Sequence, residues 1–287
     1  MNEHEHIKSL LENKSLRDFI FSNLRQSLSS IGFSQNLIED LVSNLENLNV
    51  QEFGKNHSEE LKQVYNVGFF QRIVPAYFSQ YVVPVTPTVE KIVDVGCGTG
   101  ILAKLYSESK KFQHILGIDI NPYPEWGIFK NTGVDFRVIK ETDFIDFLHK
   151  EKPDSIVLTW TLHHMEYEEQ ERYMGYIYDA LKINSYVVVL EDSYSSILKP
   201  ENGSELYTQF MNWEESDRKK IMSVYDWVAN RVLAQREKVP IPFAYQTMEK
   251  WEELFKKTGF SIENKKFIGF PNDRDINTPQ SLIILKK

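Results

Sequence analysis

The sequence predicts an α/β fold: a doubly wound, mostly parallel sheet preceded by helices and interrupted late by a helical insertion. Three observations predict it. First, the apolar run 91–95 stops at Gly96-Cys97-Gly98-Thr99-Gly100 and is followed by helix-patterned Ile101-Leu102-Ala103-Lys104-Leu105, a strand, tight turn and helix in succession. Second, further strand-like runs at 114–119, 134–139, 154–160 and 185–191 alternate with helical stretches, as βαβ units require. Third, the stretch from Pro153 to Trp160 is nearly continuously apolar, the pattern of a central parallel strand buried on both faces.

Taken in order, residues 7–50 read as two amphipathic helices. Ile7, Leu10, Leu11, Leu16, Ile20 and Leu24 mark the first, and Leu37, Ile38, Leu41, Val42, Leu45 and Leu48 mark the second. Between them lies a break at Ser29-Ser30-Ile31-Gly32, with Ser34 as the N-cap of the second helix. A third helix is expected from Ser58 through Leu61, Val64 and Tyr65 toward Phe69-Phe70. Pro75, Pro84 and Pro87 then confine 75–89 to a short helix and a loop.

Past the glycine turn, Tyr167–Lys182 begins with acids that suit a helix N-terminus. Ile183-Asn184-Ser185 leads into the fifth strand, with Asn184 able to take a positive φ. From about Ser193 to Pro242 the alternation stops. This insertion is rich in Tyr207, Phe210, Met211, Trp213, Met222, Tyr225 and Trp227, and the spacing of Ile221, Tyr225, Val228 and Val232 makes it mostly helical. An insertion after a parallel strand sits where open α/β sheets bind ligands, so it reads as a substrate cap containing Trp213 and Trp227; an oligomer interface is the competing reading. Met248–Thr258 is an amphipathic helix ending at Gly259, and two strands follow at 260–270 and 281–286. The expected organisation is an N-terminal helical segment (1–89), a core (90–192), the cap (193–244) and the remainder of the core (245–287).

Thirty-three basic and 41 acidic residues give a net charge of -8, and the pI is near 5.5. This balance argues against nucleic acid as a partner, because such binding draws on neutralising phosphates. The single cysteine, Cys97, allows no intramolecular disulfide and fits a reducing, cytoplasmic setting. Its place between two glycines marks it as a small turn residue. No apolar run is long enough to span a bilayer, and the start Met-Asn-Glu-His-Glu-His lacks the pattern of a secretory signal. The sequence does not fix an oligomeric state.

The glycine turn and the second strand carry the ligand signal. Asp119 ends that strand about twenty residues past the turn, where an acid takes a ribose hydroxyl pair. A nicotinamide fingerprint spaces its glycines G-x-G-x-x-G; here the pattern is G-x-G-x-G and Ile101 stands where the last glycine would be, which disfavours a nicotinamide-dependent oxidoreductase. Asp94, two residues before Gly96, is placed either to meet a ligand ammonium or to order the turn.

Val93-Asp94-Val95-Gly96-Cys97-Gly98-Thr99-Gly100 resembles the first motif of the class I S-adenosylmethionine-dependent methyltransferases, and the pattern at 251–260 resembles the end of their fold. The resemblance covers about 90–192 and 245–287, and leaves the N-terminal helices and the cap without a family motif. It implies a seven-stranded sheet whose last strand is antiparallel, S-adenosylmethionine as cofactor and, as acceptor, an O, N or C nucleophile of a small molecule. A cofactor-binding but inactive regulatory module is the alternative. It implies cofactor contacts at Asp94, Gly96, Cys97, Gly98, Gly100, Asp119, Ile120, Asn121, Thr159 and Trp160. Asp143 and Phe144 would serve adenine as acid and apolar pair, with a helix N-cap as the other reading of Asp143. The segment before the first strand would lie over the cofactor, with Tyr65, Phe69 and Phe70 as aromatic faces and Arg72 as partner of the methionine carboxylate, or with the same aromatics packed in a helical core.

Thr161-Leu162-His163-His164 ends the fourth strand and resembles the Leu-His-His signature of small-molecule methyltransferases. His163 and His164 are therefore candidates for the general base, while a structural reading stands beside it. Glu191 and Asp192 would orient the acceptor or cap the next segment. A divalent metal is not expected there, because enzymes that use one also carry an Asp at the fourth strand's end, where this chain has Thr159 and Trp160. Asn121-Pro122-Tyr123-Pro124 is similar to the Asn-Pro-Pro-Tyr tail of amine methyltransferases but follows the second strand, where that tail has no role.

Overall fold

The computed structural model describes residues 3–47, 49–129, 132–201, 204–271 and 277–287. The chain forms two compact units, one of helices (1–73, 199–245 and 268–279) and one built on the sheet (74–198, 246–267 and 280–287).

The helical unit opens with α1 (Glu3–Leu10), α2 (Lys14–Ile31), α3 (Gln35–Glu46), α4 (Val50–Asn56) and α5 (Ser58–Tyr65). The first expected helix is thus two. Asn13 accepts from the Leu16 N–H at 3.2 Å and starts α2 afresh, so a short polar residue overrides an apolar pattern that runs through it. Ser34 caps α3 as expected, and Leu48 lies outside the described residues. Past α5 the chain continues as a π-helix, Asn66–Ile73.

In the sheet unit, α6 (Val74–Tyr81) precedes β1 (Lys91–Val95), α7 (Ile101–Ser109), β2 (His114–Asp119), β3 (Val134–Val138) and α8 (Phe144–Glu151). Then come β4 (Ser155–Thr159), α9 (Tyr167–Ala180) and β5 (Tyr186–Asp192). Among the described residues of the β2–β3 connection, the expected helical stretch is a 3₁₀ run, Pro124–Phe129; Pro122, Pro124 and Gly127 disfavour a longer helix.

The insertion forms α10 (Glu205–Met211), α11 (Glu215–Trp227) and a second π-helix, Val228–Leu233, all in the helical unit. The N-terminal helices and the insertion thus share one compact unit. The two pack on each other, because neither set of amphipathic helices is long enough to bury its own apolar face. Arg231 fastens them, donating to the Glu3 carboxylate at 2.6 and 2.7 Å. Asp226 is bonded by Tyr245 (2.7 Å) and Asn230 (2.6 Å).

The chain closes with α12 (Met248–Lys257), β6 (Ser261–Gly269) and β7 (Gln280–Lys286). The sheet has seven strands in the order β3-β2-β1-β4-β5-β7-β6. The first five are parallel, and β7 runs antiparallel to β5, pairing Asp192 with Gln280. Asn184 takes φ +67° before β5, as the turn requires. The order reverses between β1 and β4, so the crevice at the carboxyl ends of those strands is the natural ligand position.

Candidate active site

The turn after β1 is held from below. The Gly96 and Cys97 N–H groups both donate to the Ile118 carbonyl (2.9 and 3.0 Å), which fastens the glycines to β2. Gly98 has φ +51°, and a Cβ built on it would meet nothing within 4 Å. That open backbone lies at the N-terminus of α7, where N–H groups and the helix dipole favour a polar ligand. The Cys97 side chain is buried, and burial together with Asp94 and Asp119 raises its thiol pKa, which makes it a packing residue.

Asp94 is 1% exposed, and neither carboxylate oxygen has a hydrogen-bond partner. Burial, then the nearby Asp119 charge, raises its pKa to about 7. The Ala103 N–H of α7, beside the carboxylate, opposes that rise. Asp119 is different. Its oxygens accept from the Gly98 N–H and the Asn121 N–H, each at 3.0 Å, and each retains a lone pair. Ile120 beside it is exposed.

One contributor, Trp126, escaped the sequence reading. The Trp126 indole donates to the Gly98 carbonyl at 2.8 Å, and its ring stacks on Phe136 of β3 at 5.1 Å. Nothing in the local pattern of the β2–β3 loop marks that tryptophan as a support for the glycine turn. Asp143 is exposed and stands at the N-cap position of α8, where its side chain bonds no N–H. Phe144 is buried and stacks on Tyr173 (4.6 Å), a packing contact that accounts for its ring.

At the neighbouring strand ends, Glu191 is 1% exposed and fully engaged. Its Oε1 accepts from the N–H groups of Thr161 (2.9 Å) and Leu162 (2.7 Å), and Oε2 meets Nδ1 of His163 at 2.6 Å. An acceptor-only carboxylate places a proton on Nδ1 of His163 and fixes the orientation of the ring. Glu191 therefore shapes the loop after β4. His164 is half-buried, its ring 4.2 Å from that of His163. Thr159 and Trp160 sit at the end of β4, and the Trp160 indole donates to Gln280. The Gln280 amide in turn donates to Asp192.

The remaining candidates belong to the helical unit. Tyr65 stacks on Phe69 at 4.8 Å with Phe70 edge-on, and Arg72 donates to the Ser30 and Ile31 carbonyls (2.6 and 3.3 Å) at the end of α2. The carbonyls at the end of α2 need a donor, and Arg72 supplies it. Trp227 is buried beside His4, and the Trp213 ring lies 5.8 Å from Phe19.

The model of a methyltransferase domain family matches residues 69–265. No curated protein matches the chain significantly. Among solved structures, an O-methyltransferase family protein from Burkholderia thailandensis aligns with a TM-score of 0.51 at 12% identity, covering 88% of this chain and 71% of its own. A methyltransferase of Haloferax volcanii, solved with a methyltransferase activator, aligns at 0.50 with 10% identity, covering 83% and 96%. At these identities the likeness is one of fold. The family match spans the glycine turn, Asp119 and every parallel strand, and the chain accordingly belongs to the methyltransferase domain family as a class I S-adenosylmethionine-dependent methyltransferase.

Proposed function

We propose that this enzyme methylates an O, N or C nucleophile of a small molecule in a reducing, cytoplasmic setting. The observation that carries the cofactor half is Asp94, a buried carboxylate with no hydrogen bond of ordinary geometry, at the end of the strand that leads into an open glycine backbone. An orphaned acid of this kind costs stability, and a ligand ammonium would offset that cost. Asp119 would take the ribose hydroxyls with its remaining lone pairs, Gly96, Cys97, Gly98 and Gly100 would admit the ligand to the backbone, and Ile120, Asn121 and Asp143 would border the adenine. Bound S-adenosylmethionine supplies a methyl group made electrophilic by its sulfonium.

The protein's own part is to hold the nucleophile in line and to keep water out. His163, oriented by Glu191, or His164 beside it would take the proton when a hydroxyl or ammonium must lose it. The acidic balance of the chain favours a small acceptor over a polyanion. Calorimetry with S-adenosylmethionine, S-adenosylhomocysteine and NAD tests the cofactor assignment: the first two should bind and NAD should not. Tight NAD binding with no response to the others would sink the reading.

A further inference from the structure

A second cluster occupies the edge where β4, β5 and β7 meet, and the cofactor assignment makes no use of most of it. The Tyr77 ring, on α6, lies parallel to the Trp160 indole at 5.9 Å and 7°, and Phe78 lies 5.1 Å from the same indole. Trp160 itself has φ +51°, a conformation costly for a bulky residue. It is fixed there by these rings and by the 2.6 Å bond from its Nε1–H to Gln280, which also donates to Asp192.

Tyr77 is 1% exposed, and its hydroxyl has no hydrogen-bond partner. A phenylalanine would stack on Trp160 equally well without burying an unbonded hydroxyl, so packing explains the ring and leaves the hydroxyl unexplained. Burial, the Asp192 charge and then Tyr81 raise its pKa well above the usual value, so at neutral pH it remains a phenol able to donate. The cluster adjoins the glycine turn. Thr161, next in sequence to Trp160, donates to the Val95 carbonyl at 3.3 Å, and its Oγ1 lies 2.8 Å from where a Gly96 Cβ would stand.

We propose that the Tyr77 hydroxyl and the Asp192 carboxylate anchor the methyl acceptor, and that this acceptor is a flat, largely apolar molecule bearing an amine or hydroxyl and no carboxylate. The inference rests on the methyl-transfer reading above. The rings of Tyr77, Phe78 and Trp160 supply the apolar surroundings, the phenol donates, and Asp192 accepts while repelling anions.

The test uses the full chain saturated with S-adenosylhomocysteine and three probes that share one ring: benzylamine, benzyl alcohol and benzoate, titrated by ligand-observed NMR. Benzylamine and benzyl alcohol should bind, with benzoate at least about tenfold weaker. Tyr77→Phe should weaken both bound probes by about tenfold, the loss of one hydrogen bond, while S-adenosylhomocysteine affinity stays within about twofold and the thermal midpoint is unchanged or raised. Asp192→Asn should remove the advantage of the amine over the alcohol. Unchanged probe binding in Tyr77→Phe, or benzoate binding as well as the others, overturns the proposal and leaves the cofactor assignment standing. A Tyr77→Phe protein that melts earlier and loses cofactor and probes alike also overturns it, by showing a structural hydroxyl. Failure of the unaltered chain to bind S-adenosylhomocysteine overturns the methyl-transfer reading itself, and this anchor with it.

Discussion

Asp94 and Glu191 are buried to the same degree, both at the carboxyl edge of the parallel strands, and they could hardly be more different. Glu191 accepts from two backbone N–H groups and a histidine, whereas Asp94 has no hydrogen bond of ordinary geometry and only the Ala103 N–H beside it. Equal burial therefore does not mean equal role. A satisfied carboxylate stabilises the fold and shapes a loop, and an unsatisfied one destabilises the free protein and is available to a ligand. Asp119 falls between them, with each oxygen half used.

The comparison can be broken most forcefully at Glu191. Its replacement by alanine strands two N–H groups and the His163 ring, and should cost about 3–5 kcal/mol of stability in urea unfolding. A loss below about 1 kcal/mol would show that the loop after β4 does not depend on it.

At Asp94 the sign reverses. With its folded pKa raised to about 7 from 3.8, the folded state holds a proton that the unfolded state releases. Stability is then highest below the unfolded value and declines as pH rises through the folded one, by up to about 4 kcal/mol from this group. Asp94→Asn should flatten that decline, and parallel unfolding curves of the two proteins from pH 4 to 8 measure the difference. S-adenosylhomocysteine should bind the unaltered protein more tightly as pH rises toward 7.5, because its ammonium prefers the ionised acid. An affinity that is flat with pH would separate Asp94 from the ligand.

The smallest effect belongs to the intermediate case. Asp119→Ala should reduce cofactor affinity by about 2–4 kcal/mol in calorimetry while costing less stability than the Glu191 change. An unchanged affinity would remove Asp119 from the site.

What could be read in advance follows the same division between local and distant causes. The glycine turn, Asp119, the positive φ at Asn184 and the seven strands are written in short stretches of chain, because each depends on a few consecutive residues. The restart at Asn13 was missed because the apolar spacing continues across it. Both π-helices were invisible too, since a change from four- to five-residue bonding leaves the composition untouched. At the site, Glu191 read as an acceptor-orienting group because its partners lie 28 to 30 residues away in the chain. Tyr77, Trp126 and Gln280 take their meaning from neighbours that only folding supplies.

The hydrogen bond from Trp126 to the Gly98 carbonyl also gives the protein an intrinsic optical reporter. Of its five tryptophans, Trp227 and Trp251 are buried, while Trp126 is half-buried and bonded to the backbone that would cradle the cofactor. A ligand settling on Gly98 should alter the polarity and hydrogen bonding around that indole, and with them its emission. Cofactor arrival should then be seen in a stopped-flow instrument without a label, and the part of the signal lost in Trp126→Phe, which keeps the other four tryptophans, is the part that reports on the turn.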